Sequence, residues 1–155
     1  MRIEEEIKTN KFHSEQQKAT INIVFTSNWI TGILEKRANS EQITLQQFNV
    51  LRILRGQHPK PATNSLLKER MLDKMPDVSR IIDRLVAKEL VSRVKCDIDR
   101  RAVDVMITAK GLKVLESLEE SMMMMDILQE NISEEECLVL NKLLDKMRGD
   151  QPTAR

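Results

Sequence analysis

The chain has 155 residues, a formal net charge of +1 at pH 7, 32% charged residues and only 3% aromatic ones. That length suits one domain able to bury its own core, which must be aliphatic, and the near-zero net charge gives no direct support to nucleic-acid binding. No apolar run approaches a transmembrane helix, the opening M-R-I-E-E-E-I-K is too acidic for a signal peptide, and Cys96 and Cys137 make no disulfide framework, so the expectation is a cytoplasmic protein without a membrane partner.

Taken in chain order, residues 1–10 read as a short helical turn or an arm. Ser14, with Gln17 three residues on, makes a capping box and starts a long helix to about Arg37 through Ile21, Val24, Phe25, Trp29, Ile33 and Leu34. Ala38 to Ile43 reads as a loop. Thr44 is the best N-cap in the chain, with Gln47 at the third helical position and Ile43 and Phe48 placed as a hydrophobic staple. That helix stops near Gly56, and G-Q-H-P-K-P-A then imposes an extended turn because each proline disfavours helix at the residue before it. A short helix fits Asn64 to Leu72.

The stretch from Asp77 to Gly111 carries the functional signal. Val78, Ile81, Ile82, Leu85 and Val86 recur at helical spacing and make a buried stripe, which leaves Ser79, Arg80, Asp83, Arg84 and Lys88 facing outward. Val103, Val105 and Ile107 alternate with Asp104 and Met106, the period of a half-buried strand. A helix with an arginine-bearing face beside a hairpin with an arginine tip suits double-stranded DNA: the helix fits a major groove, and the hairpin reaches the adjoining minor groove or backbone. Two short helices, a turn and a third helix complete a helix-turn-helix pattern. Charge is distributed in the same sense: residues 68–101 hold 10 Lys plus Arg against 7 Asp plus Glu, and residues 111–155 hold 5 against 10, an asymmetry that would orient the chain on a polyanion.

Beyond the hairpin, Thr108 caps a long helix reaching about Gln129, and Ser133, with Glu136, caps the last one, where Ile132 and Cys137 make a second staple. Four consecutive methionines, Met122 to Met125, would cover all sides of the first of these helices and act as adaptable core filling. Ile21, Phe25 and Trp29 at one end, with Leu138, Leu140, Leu143, Leu144 and Met147 at the other, exceed what a small core can cover, and a two-fold homodimer resolves the excess.

From Thr44 to Gly111 the chain resembles the MarR-type winged-helix transcriptional regulators. The resemblance is carried by V-S-R-I-I-D-R-L-V-A-K-E-L-V at Val78 to Val91, D-R-R-A-V at Asp99 to Val103 and I-T-A-K-G at Ile107 to Gly111, in that order and spacing. It implies a mostly helical homodimer, a recognition helix over Pro76 to Lys88, and a wing centred on Asp97 to Arg101 with Arg100 near its tip. Asp77 departs from the family, which usually carries a small hydroxyl residue there; it would cap the helix or accept a hydrogen bond from cytosine.

The expected architecture is therefore mostly α with a small β-hairpin wing: a winged helix-turn-helix lobe over 44–111, flanked by dimerisation helices over 1–37 and 112–148. The expected DNA contacts are Ser79, Arg80 and Arg84 in a major groove and Arg100, with Arg101, at a minor groove. Asp99 would orient one wing arginine by a bidentate pair, freeing the other. Thr63, Asn64 and Ser65 suit phosphate contacts or plain helix capping, and Lys74, Arg93 and Lys95 suit the DNA backbone. Cys96 beside Arg93 and Lys95 admits a thiol-switch reading against that of an ordinary surface thiol. His13 and His58 stand apart from any metal-ligand spacing, and with four glycines there is no phosphate-cradling loop and no nucleophile–base constellation. The expectation is a non-enzymatic, cofactor-free regulator, a repressor, open to a small-molecule effector between the DNA-reading lobe and the dimerisation helices. The alternative is a winged-helix protein–protein adaptor for an acidic partner.

Overall fold

The computed structural model describes residues 1–72, 77–95, 103–124 and 126–149. Two compact units divide the chain, residues 1–36 and residues 37–155. In the first, a single turn, α1 (Ile3–Glu6), precedes the start of the long helix α2 (Glu15–Asn39), whose last residues belong to the second. Ser14 opens α2 with half of the expected capping box: its hydroxyl accepts the Gln17 N–H at 3.1 Å, but the Gln17 side chain accepts the N–H of His13, one residue before the cap, at 2.7 Å. Lys18 reaches Glu4 at 2.5 Å and stands 5.7 Å from the Phe12 ring centre. The Lys18 hydrogen bond holds the Glu4 carboxyl below its ordinary value.

The second unit continues with α3 (Leu45–Gln57), α4 (Asn64–Arg70), α5 (Val78–Ala87), β1 (Val91–Lys95), β2 (Val103–Ile107), α6 (Ala109–Leu118), α7 (Asp126–Gln129) and α8 (Glu134–Arg148). Thr44 closes both halves of its capping box with Gln47 at 3.1 Å, and the staple residues Ile43 and Phe48 are buried. The core is aliphatic, as the composition requires: Val50, Leu51, Ile53 and Leu54 of α3 are buried with Leu67 of α4, Ile81, Ile82 and Leu85 of α5, and Leu115 and Leu118 of α6. Two short helices and a third, followed by an antiparallel hairpin, make a winged helix-turn-helix.

The hairpin pairs Val91 with Ile107 and Arg93 with Val105. Its inner face is buried at Val91, Val105 and Ile107, and Asp104 and Met106 alternate away from it. A third partner was not legible in the sequence. Ala62, inside the proline-bounded segment read as an extended turn, exchanges both backbone hydrogen bonds with Val105 at 2.9 Å. The His58–Pro59 peptide bond in this segment is cis.

Two backbone positions hold hairpin and helices together. Glu89, just past α5, has φ 62, in the left-handed region that closes a helix and favours glycine. Gly111 on α6 lies so close to the chain before β1 that an added Cβ would meet the Leu90 carbonyl oxygen at 2.3 Å.

The helix expected from Thr108 to Gln129 is not continuous. The Thr108 hydroxyl caps it by accepting the Gly111 N–H at 3.1 Å, but α6 ends at Leu118. A 3-10 turn at Ser121–Met123 follows, and Met124 takes φ 64 before α7. Methionine has good helix propensity, so the break comes from tertiary contacts. Arg37 donates to the Ser121 carbonyl at 2.5 Å and to both carboxylate oxygens of Asp126, while Met122 and Ile127 are buried. The methionines therefore do not cover four sides of one helix: Met122 is buried, Met123 and Met124 are exposed, and Met125 lies outside the described residues. Ser133 opens α8 with a capping box, and none of the residues of α8 is buried.

Candidate nucleic-acid interface

The helix α5 is fixed by one face and offers the other. Val78, Ile81, Ile82 and Leu85 are buried, Val86 is half-buried, and Ser79, Arg80, Asp83 and Arg84 are exposed. The helix start is secured by Asp77, whose carboxylate accepts the Arg80 N–H at 3.1 Å. This gives the departure at position 77 a local purpose, since a carboxylate at an N-cap both satisfies an orphan N–H and complements the helix dipole. Arg80 and Arg84 stand four residues apart on the exposed stripe, one turn above each other. Among the described residues neither is in an ion pair.

Asp83 is engaged from the hairpin and not from its own helix. Arg93 of β1 makes an ion pair with it through Nη2. This ties the wing to the outer face of α5, so Arg93, expected to face a DNA backbone, has a structural partner. The two residues are ten apart in sequence, and no periodicity connects them. Both side chains are at least half exposed, so the pair orients more than it stabilises.

Thr63 caps α4 by accepting the Leu66 N–H at 3.1 Å; it and Ser65 are exposed, and Asn64 is half-buried. Asn64 and Ser79, which come from different helices, meet at one cavity of about 250 Å³, lined with Ile82, Arg93 and Val105. The start of α4, the start of α5 and the root of the wing therefore adjoin. Lys74, Asp99, Arg100, Arg101 and Cys96 lie outside the described residues, as does the side chain of Lys95. His13 and His58 are exposed, and among the described residues no cluster of three His, Cys, Asp or Glu side chains could hold a metal ion. Cys137 is free and half-buried. No helix among the described residues is long and apolar enough to cross a membrane.

Lys88, placed by its spacing on the outward stripe, does not share the freedom of Arg80 and Arg84. Its ammonium donates to the Gln42 carbonyl and, at 3.3 Å, to Gln47 Oε1.

A helix-turn-helix whose third helix presents an arginine-bearing exposed face beside a two-stranded wing defines the winged-helix class of regulators. The profile described as the MarR family matches residues 43–103. An HTH-type transcriptional regulator of Bacillus subtilis, YpoP, is 32% identical over 93 residues, which is 60% of this chain and 61% of that protein. Among solved structures, the MarR transcription factor from Planctomyces limnophilus is 31% identical, with 89% of this chain and 96% of that chain covered and a TM-score of 0.66. A cysteine-to-serine mutant of MarR from E. coli, complexed with operator DNA, is 28% identical, with coverage of 81% and 91% and a TM-score of 0.69. The chain belongs to the MarR family. That places it among transcription regulators and not among enzymes.

Proposed function

We propose that the chain is a sequence-specific regulator that binds double-stranded DNA as a homodimer on a pseudo-palindromic operator and represses by competing with polymerase. The observation that carries this reading is the exposed face of α5, where Arg80 and Arg84 have no carboxylate partner among the described residues while the opposite face is buried. Guanidinium groups on a helix of groove-fitting width are the commonest readers of guanine O6 and N7. Ser79, in the first turn, would reach a neighbouring base edge. Thr63, Asn64 and Ser65 would meet phosphates at the start of α4. Lys74 and Lys95 would meet the DNA backbone, and Asp99 would orient one of the wing arginines, Arg100 and Arg101, freeing the other, Arg100 by resemblance, for a minor groove.

A second copy is supported by each unit separately. Val24 and Trp29 of α2 are exposed, and α8 exposes Leu138, Val139, Leu140, Leu143 and Met147. Apolar surface of this extent marks an interface. Two-fold symmetry would set two α5 helices about one DNA turn apart. A small-molecule effector would act by shifting the population between binding-competent and incompetent arrangements.

Stoichiometric titration of an operator duplex, followed by mass measurement of the complex, tests the assembly and the DNA reading together. Two chains per duplex, with protected half-sites about one turn apart, is the expected result. Equal affinity for operator and random duplex would contradict the proposal.

A further inference from the structure

We propose that Lys88 is a positioning residue for the DNA-reading helix: it anchors the end of α5 on the N-terminal cap of α3, and so fixes how α5 is presented to a duplex. The inference rests on the DNA-binding reading above. By helical spacing, Arg80, Arg84 and Lys88 form one stripe at intervals of four, so Lys88 should be a third outward cation. The residue is exposed, but its ammonium is engaged by the chain itself. Its Nζ donates to the backbone carbonyl of Gln42, forty-six residues away, and to Gln47 Oε1 at 3.3 Å.

The receiving site is specific. The Gln47 side chain is buried and its oxygen already accepts the Thr44 N–H at 3.1 Å, so Lys88 joins the capping box of α3. A cation at a helix N-terminus is opposed by the helix dipole, and its persistence there depends on the two acceptors.

Why α5 needs such an anchor follows from what else holds it. Its buried stripe is aliphatic, and apolar packing is non-directional, so it fixes which face is inward more firmly than the position along the axis. At the first turn Asp77 supplies a directional bond within the helix itself. In the middle the Asp83–Arg93 pair ties α5 to β1, and at the last turn Lys88 supplies the directional bond to a neighbouring helix. A base-reading arginine displaced by even 1 Å loses bidentate geometry, whereas a phosphate contact tolerates the shift.

Two variants separate positioning from charge. Lys88→Met keeps the aliphatic stem and removes the donor; Lys88→Arg keeps a donor cation. The amides of residues 88, 89 and 90 close the end of α5 on the carbonyls of Arg84, Val86 and Leu85, and they report the anchor without DNA. In Lys88→Met, hydrogen exchange at these amides should accelerate by about tenfold, as expected for loss of a charged hydrogen bond. Affinity for a selected operator should fall by about tenfold, with affinity for random duplex and the salt slope unchanged. Lys88→Arg should retain both within about threefold. Equal losses on operator and random duplex, with the salt slope lowered by about one, would make Lys88 a phosphate contact and overturn the proposal. Unchanged exchange at residues 88–90 in Lys88→Met overturns it without reference to DNA. If the unmodified chain does not distinguish operator from random duplex, the DNA-binding reading itself fails and positioning for DNA with it; accelerated exchange would then leave only the anchor.

Discussion

Gly111→Ala sets two effects against each other whose sizes can be compared. Alanine is the better helix former, worth about 1 kcal/mol in a helix interior, and propensity alone predicts stabilisation. The geometry predicts the reverse. The new Cβ would lie 2.3 Å from the Leu90 carbonyl oxygen and 2.8 Å from Ile107 Cγ1, and ordinary contact starts near 3.4 Å, so about 1 Å of clearance must be found. Ile107 can yield by side-chain adjustment; the Leu90 carbonyl cannot yield alone, because it is backbone and also accepts the Thr108 N–H at 3.1 Å. Relief therefore requires moving the root of β1 against the start of α6. Overpacking that shifts backbone costs about 1–3 kcal/mol and at times more, so the clash outweighs the propensity. We expect a net loss of about 2 kcal/mol, which for a chain of this size lowers the melting midpoint by about 4–8 °C. Thermal and urea unfolding followed by far-UV circular dichroism, at one fixed protein concentration, measure it. A midpoint equal to or above that of the unmodified chain would refute the close-approach argument.

Further outcomes follow from the same geometry. Arg80→Ala and Arg84→Ala should each cost about 1–3 kcal/mol in operator affinity, read by fluorescence anisotropy, with little change in melting; unchanged affinity in both would remove α5 from base readout. Asp77→Ala should lower stability by about 1 kcal/mol through loss of the α5 cap, seen as a lower urea midpoint at constant slope. Glu89→Gly should raise stability by up to about 1 kcal/mol: relief of a left-handed residue is worth about 1–2 kcal/mol, offset by glycine's unfolded-state entropy of about 0.5–1 kcal/mol and by an exposed ion pair to Lys110 worth little. Asp126 is held below its ordinary value of 3.8, first by its hydrogen bond to Arg37. Because the folded value is the lower one, the stability from this pair is present above the ordinary carboxylate range and is lost as pH falls through the folded value. Arg37→Met should return the Asp126 titration, followed by NMR, toward its ordinary midpoint.

Local rules made most of the helices and the hairpin legible. The capping boxes at Thr44 and Ser133, the apolar stripe of α5 and the two-residue period of β2 each depend on neighbours within a turn or a strand. Illegible features depend on distant contacts. Ala62 becomes a strand partner only because Val105 lies across from it. Lys88 is exposed as its spacing predicts, yet its ammonium is engaged because the α3 cap offers acceptors forty-one and forty-six residues away. The good helix formers Met122 to Met124 give way because Arg37 holds the turn, a contact spanning more than eighty residues that periodicity cannot register. The Asp83–Arg93 pair was hidden for the same reason, although two opposite charges on adjoining elements are a usable sign of such a tie.

Selection of bound duplexes from a random DNA pool at near-physiological salt tests the central claim most directly. Recovery of a pseudo-palindrome with half-sites about one helical turn apart is the predicted result. Recovery of no motif, with only weak and salt-sensitive binding, would contradict sequence-specific regulation by this chain.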